Sequence, residues 1–264
     1  GANVTNYREG DAVIVSPRYG GFAEAMNVDV SAVQPKPAGM SYGAAASFQT
    51  AYLTAWVALT CRGHLEPGEN LLVHGATGGV GMAAVDLGKH LGANVIATGG
   101  RDDKLAVVAS RGADHVINYT LPDGGMGGFR DKVKALSDGR GADVIYDPVG
   151  GDVFDESMRC VAIDGRILVI GFTSGRWPQA PVNLILIKQV SVIGVRAGEY
   201  GRTYPERGIE NRRAIMALAN KGDISPYVSH ALPLEEAVAA MQVLESRNVI
   251  GKCIVTMNGY THES

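Results

Sequence analysis

Cysteine is scarce in this chain: Cys61, Cys160 and Cys253 are the only three in 264 residues. They are far apart and fit no CxxC or zinc-ligand spacing, which excludes a disulfide scaffold and a zinc ribbon. They read as small, reduced core residues of a cytosolic protein. Excess charge of either sign is also missing. A net charge of −3 gives no support for nucleic acid or an anionic membrane as partner. No apolar run approaches the roughly 20 residues that cross a bilayer, and no charged-then-apolar leader is visible. Glycine, in contrast, is abundant: its 35 residues fall at turns between apolar runs, where a parallel-sheet protein places them. The length suits one large or two modest domains with a real core.

Residues 69–101 (ENLLVHGATGGVGMAAVDLGKHLGANVIATGGR) organise the rest. A short apolar run, Leu71, Leu72 and Val73, ends in a glycine cluster. Residues 80–91 then carry apolar side chains at helical spacing, and residues 95–98 read as a second buried strand. Strand, glycine turn, helix and strand form the first unit of a dinucleotide-binding fold. Within the turn the pattern is Ala76-Thr77-Gly78-Gly79-Val80-Gly81. Gly78 would let the backbone approach a pyrophosphate, and Gly81 would let the helix pack on the strand. The helix start near Gly79 offers free N–H groups to the phosphates.

The end of the second strand bears on which coenzyme binds. An NAD site usually carries Asp or Glu there, about 20 residues past the glycines, for the ribose hydroxyls. This chain has Gly99-Gly100-Arg101 followed by Asp102, Asp103 and Lys104. A 2′-phosphate would meet Arg101 and Lys104 without repulsion, which points to NADPH. The alternative is that Asp102 folds back as the ribose acceptor.

Elsewhere, strands are expected at 11–15, 21–28, 115–118, 143–146, 166–170 and 190–195, with a turn at 17–20 joining the first two. Helices are expected at 41–61, 104–110, 129–136, 153–161 and 205–221. Residues 122–128 read as a surface loop. After residue 222 come an extended stretch at 227–234, an amphipathic helix at 234–245 and a final strand at 252–257. This tail is expected to pair with the strands before residue 30. The alternation argues an α/β fold with a doubly wound parallel Rossmann sheet and a smaller β domain.

Together the stretches GDAVIV, GGFAEA, YLTAWVAL, NLLVHGATGGVGMAAVDLGKHLGANVIAT, GADHVINY, GADVIYDPVGG, GRILVIGFTSG, NLILIKQVSVIGV and IGKCIVTM resemble the medium-chain dehydrogenase/reductase superfamily. The likeness is to its zinc-independent NADPH:quinone oxidoreductase (zeta-crystallin-like) branch. It implies that residues 1–62 are an N-terminally truncated GroES-like domain with a bridging helix. Residues 63–221 would be the Rossmann domain, and 222–264 a return to the first domain. Zinc alcohol dehydrogenases of this superfamily insert a four-cysteine lobe where only SPRYG separates Val15 from Gly21. They also place a zinc-binding cysteine where this chain reads Ala46-Ser47-Phe48-Gln49-Thr50. No metal is therefore expected, and His64, His74 and His90 read as surface or internally satisfied residues.

Without a Lewis acid, an already electrophilic quinone or enone is the easier hydride acceptor. The resemblance places Thr54 beside the nicotinamide, with Tyr52 near the cleft. Tyr52 is either a proton donor to the developing enolate or a packing aromatic. Lys104 and Tyr119 match positions that hold the adenosine 2′-phosphate, with Gly100 and Arg101 alongside. Gly171 and Phe172 match positions that meet the carboxamide through backbone groups. Arg196 either meets an anionic substrate or pairs with Glu199. Two further readings stay open: an enoyl-thioester reductase, and a non-catalytic NADPH-binding protein of the crystallin kind. The apolar strand 190–195, with no proline or inward charge, is expected at a sheet edge, where a homodimer would form.

Overall fold

A computed structural model describes residues 3–17 and 19–257. The chain divides into two compact units, Ala51–Ile215 and Gly1–Thr50 with Met216–Ser264.

The larger unit is built on six parallel strands. In chain order they are β3 (Asn70–Val73), β4 (Asn94–Gly99), β5 (His115–Asn118), β6 (Ala142–Asp147), β7 (Val161–Val169) and β8 (Ser191–Gly194), numbered after two strands of the other unit. Their spatial order is β5-β4-β3-β6-β7-β8. The winding reverses between β3 and β6, so the crevice beyond their carboxyl ends is where such a sheet takes a ligand. All four residues of β3 are buried, as expected of a strand covered by helices on both faces. Those covers include α2 (Gly79–His90), α3 (Asp102–Ser110), α4 (Arg130–Leu136) and α5 (Gly151–Cys160). In α2 Met82, Ala83, Ala84, Val85 and Leu87 are all buried, so the helix is covered over more than one face.

The alanine-rich helix α1 (Tyr42–Trp56) gives way to a wider π-helical turn at Val57–Arg62. Gly63 closes it: a Cβ there would stand 2.9 Å from both the Ala58 carbonyl oxygen and Leu168 Cδ1. Two short helices beyond the expected set, α6 (Val182–Lys188) and α7 (Ala197–Thr203), flank β8, and α8 runs over Pro205–Lys221.

The smaller unit corrects two expectations. Strand β1 (Val13–Val15) pairs antiparallel with β2 (Val33–Pro35), register Val13↔Pro35, and residues 21–28 form no strand. Alternation alone does not make a strand where no backbone is available to pair with it. The expected turn at 17–20 includes Arg18, which lies outside the described residues. In the tail, β9 (Val228–Pro233) and β10 (Lys252–Thr256) pair with each other in parallel, connected through α9 (Ala237–Glu245). The tail joins the first 50 residues in one unit without sharing a ladder with β1.

Candidate functional site

The glycine turn leaves β3 at Val73 and is tied down on both sides. His74 N–H donates to the Tyr146 carbonyl on β6, and Ala76 N–H to the Thr98 carbonyl on β4, at 3.0 and 2.9 Å. Gly75 adopts φ +56°, a left-handed conformation that favours glycine. The chain then bends until Gly78 N–H meets the Gly75 carbonyl at 3.0 Å. Gly78 is the N-cap of α2 and supplies no side-chain cap, so the first-turn N–H groups of Gly79, Val80 and Gly81 stay available to an anion. Gly81 is the tightest point. A Cβ there would lie 2.3 Å from the Gly75 carbonyl oxygen and 2.8 Å from Ala76 Cα. At Gly78 the closest atom would be 3.4 Å away. Gly81 thus makes the helix-to-strand contact, while Gly78 keeps an open face toward a ligand. Thr77 packs its methyl toward Gly99 at the end of β4.

His74 forms a polar rivet beneath this turn. It is fully buried, with Nδ1 2.8 Å from Thr98 Oγ1, Nε2 2.8 Å from Ser157 Oγ, and its ring against Phe129. Ser157 donates its own proton to the Val153 carbonyl at 2.7 Å. The hydroxyl therefore accepts from Nε2–H, and Nδ1 accepts from Thr98, which sets a neutral tautomer. Burial pushes the imidazole pKa down to about 3. Of the two readings of this histidine, the internally satisfied one is correct.

At the end of β4, Asp102 is held by Asn118 Nδ2 at 3.0 Å, and Asp103 takes a bidentate bond from Arg101. Both carboxylates have cationic or amide partners before any ribose arrives. The Arg101–Asp103 pair is exposed, so an arriving phosphate competes with it in high dielectric. Lys104 is 6% exposed, in the first turn of α3. Its pKa is lowered first by burial and then by Arg101, so two cations stand close together. Gly100 receives the Thr120 hydroxyl on its carbonyl at 2.8 Å, and Tyr119 is buried beside it.

At the carboxyl ends of β6 and β7 the decisive group is Asp147, which sequence reasoning missed. Its Oδ1 accepts from Val149 N–H and Gly150 N–H at 2.8 and 2.9 Å, shaping the turn into α5. Only its place at a strand end before Pro148-Val149-Gly150 hinted at this. The side chain is 1% exposed, and burial pushes its pKa up to about 6 despite the two donors. A raised carboxyl pKa favours folding fully below the unfolded value near 3.8, an advantage lost as pH rises through 6. The difference is about 3 kcal/mol in order of magnitude. Asp147→Asn keeps the acceptor oxygen without the buried charge. At pH 8 it is expected to unfold at equal or higher denaturant concentration than the parent, with the gain gone below pH 4. A large loss of stability at pH 8 would refute this account.

Gly171 follows β7, and Phe172 is exposed with its carbonyl engaged by Gly175 N–H at 2.9 Å. Thr54 is half-buried on α1. Of the two readings of Tyr52, its surroundings favour the packing one. It is 1% exposed and its hydroxyl donates to Asp86 on α2, which also receives Arg111 at 2.7 Å. Burial and the adjacent carboxylate drive the phenol pKa far above its usual value, so it does not ionise. Glu199 takes its hydrogen bond from Arg202 at 2.7 Å, and Arg196 adds a weaker charge attraction that also helps hold the carboxyl below its usual range. Among the described residues no group of three or more His, Cys, Asp or Glu is placed to hold a metal ion.

A family profile described as zinc-binding dehydrogenase matches residues 79–211. The quinone oxidoreductase-like protein 2 homolog of Nematostella vectensis is 35% identical over 258 residues, covering 97% of this chain and 69% of that protein. Among solved structures, the quinone oxidoreductase of Thermus thermophilus, also solved as its NADPH complex, superposes with a TM-score of 0.81. Its identity is 28%, over 94% of this chain and 78% of that one. The JamJ enoyl reductase superposes with a TM-score of 0.82 at 25% identity, over 98% of this chain and 75% of that one.

Proposed function

The chain belongs to the quinone oxidoreductase-like branch of the medium-chain dehydrogenase/reductase family, and on that premise we propose that it is an NADPH-dependent, zinc-independent reductase of quinones and related conjugated carbonyls. The observation that carries the reading is the paired anion geometry. An uncapped helix start would face the pyrophosphate, and Arg101, shared with Asp103, would join Lys104 at the 2′-phosphate while Asn118 holds Asp102. The cradle fits a dinucleotide, because Gly78 leaves open backbone where a Cβ would narrow the approach.

When bound, the reduced nicotinamide supplies a hydride to an electrophilic carbon, and a proton completes the reduced product. The α2 N-terminus, with residues 76–81, anchors the pyrophosphate. Arg101 and Lys104 fix the 2′-phosphate, and Gly100 and Tyr119 border it. Thr54 and the backbone of Gly171 and Phe172 orient the nicotinamide end. Catalysis of this kind is mainly positioning and exclusion of water. Tyr52 is committed to Asp86 and takes no part in proton delivery.

NADPH is expected to bind roughly tenfold or more tightly than NADH, because charge-assisted pairs to phosphate are strong. Titration of both coenzymes into the parent and the Arg101→Ala/Lys104→Ala double variant tests this. Equal affinities in the parent, or an unchanged ratio in the variant, would remove the basis for the reading.

The likeness to an enoyl reductase favours one second reading, an enoyl-thioester acceptor at the same site. Turnover of quinones against enoyl-CoA esters separates the two. No helix among the described residues is long and apolar enough to cross a membrane, and a cytoplasmic location is proposed. Assembly is proposed as a homodimer through the edge strand β8, next to the exposed Val182, Leu186 and Ile187 of α6. About one zinc per chain on metal analysis would overturn the metal-free part, and sedimentation as a monomer the pairing.

A further inference from the structure

We propose that Trp177, backed by Phe172, is the stacking surface that selects a planar aromatic quinone as acceptor; this deepens, and rests on, the reductase reading above. The loop between β7 and α6 carries both rings, at the carboxyl edge of the sheet where an α/β fold takes its ligand. It is fastened to the segment leaving β6. Ile170 N–H donates to the Asp147 carbonyl, Thr173 N–H to Pro148 and Ser174 N–H to Val149, at 2.9, 3.1 and 3.0 Å.

Two further contacts hold the loop on the start of α5. The Arg176 guanidinium bonds Asp152 at 2.7 Å and Asp155 at 2.5 Å. Gly150 and Gly151, at φ +68° and +57°, let it lie close: a Cβ on them would stand 3.1 Å from Phe172 Cδ1 and 2.7 Å from Ser174 Oγ.

A loop held at so many points nevertheless turns its largest side chain outward. Trp177 is 79% exposed and Phe172 42%, their ring centroids 6.4 Å apart and tilted by 58°. Single exposed apolar residues are ordinary, but two aromatic rings fixed side by side at this edge of the sheet offer a flat face to a ring-shaped ligand. The indole presents an electron-rich face that favours stacking with a flat, electron-poor ring. A naphthoquinone has such a ring. An aliphatic enal or enoyl thioester has none and gains little there. The Trp177 ring therefore discriminates between acceptors, while the backbone of Gly171 and Phe172 in the same loop serves the coenzyme.

The test compares the parent with Trp177→Ala, using 1,4-naphthoquinone and trans-2-hexenal as acceptors with NADPH. Stacking on one aromatic side chain predicts that the ratio of kcat/KM for naphthoquinone to that for hexenal falls by about tenfold. The change should lie in KM for naphthoquinone rather than in kcat, and Trp177→Phe should restore part of it. Thermal unfolding at the parent temperature establishes that the variant is folded.

A second readout needs no turnover. Trp177 is one of two tryptophans, and the other, Trp56, is partly buried and donates to Asn211. Naphthoquinone should quench parent fluorescence saturably, and much less so in Trp177→Ala. If neither acceptor oxidises NADPH, the reductase reading fails, while saturable quenching through Trp177 still supports the stacking surface. An unchanged acceptor ratio, a parallel loss for both acceptors, or quenching insensitive to Trp177 would overturn it. So would a Trp177→Ala variant whose only change is loss of self-association, which would make the ring an interface residue.

Discussion

Gly81→Ala is expected to destabilise the protein by about 3 kcal/mol or more and to abolish coenzyme binding. The reason is the identity of the atoms in the way. The new methyl would sit 2.3 Å from the Gly75 carbonyl oxygen and 2.8 Å from Ala76 Cα. Both belong to backbone that is itself held by β4 and β6, through Ala76 N–H to Thr98 and His74 N–H to Tyr146. No flexible side chain is present to swing aside, so either the turn opens or α2 lifts from β3. Gly78→Ala is the control. Its φ of −89° suits any residue, and its methyl would meet nothing closer than 3.4 Å. That variant should fold within about 1 kcal/mol of the parent. It should still bind NADPH more weakly, because the methyl projects toward the phosphates. Denaturant unfolding and NADPH titration of both variants give the answer. Equal stabilities for the two would show that the close approach at Gly81 does not govern the turn.

Acid should unfold the protein in a way that a single histidine accounts for. The folded state holds the His74 pKa at about 3, whereas an unfolded chain binds that proton near 6.5. Between those values the unfolded state carries more protons, so stability falls as pH falls. The slope approaches 1.4 kcal/mol per pH unit and the total approaches about 5 kcal/mol. The opposing effect of Asp147 is common to parent and variant and cancels in a comparison. His74→Gln keeps a neutral polar group but does not titrate. Its stability deficit relative to the parent at pH 7 should therefore shrink steadily as pH is lowered from 6.5 to 4. Parallel stability profiles across that range would show that His74 is not protonated on unfolding, and would sink the argument. Protonation would demand a second N–H donor at Nδ1. Thr98 would then have to turn its own proton toward the Val73 carbonyl, 3.5 Å away.

Apart from the short helices α6 and α7, the helices and strands of the larger unit were legible because each is announced locally. The apolar run at residues 71–73, helix α2 and the strand at His115–Asn118 fall where period and turn residues put them. The glycine turn after β3 was legible for the same reason, since Gly81 serves a contact with Gly75 and Ala76 only a few residues away. In the smaller unit the same reasoning named the wrong strand. Residues 21–28 read as a strand next to the 11–15 run, yet β1 takes Val33–Pro35 as its partner. The candidate site shows the same division. Arg101 and Lys104 are proposed from the missing carboxylate, whereas the turn-holding role of Asp147 has no signal along the chain, because a carboxylate that caps its own turn looks like any other Asp beside a proline.

The sequence by itself determined the fold class and the glycine turn between β3 and α2, both of which rest on contacts within a few residues of chain. Only the tertiary structure decided which strands pair in the smaller unit, because a period of two specifies a face and not a partner. It also decided that Tyr52 is spent on Asp86, 34 positions away, and that His74 is locked neutral by Thr98 and Ser157. Side chains of the same type, read along the chain, were equally compatible with catalysis or with packing. The choice between those roles depends on burial and on partners brought in from distant segments, which is the information that folding adds.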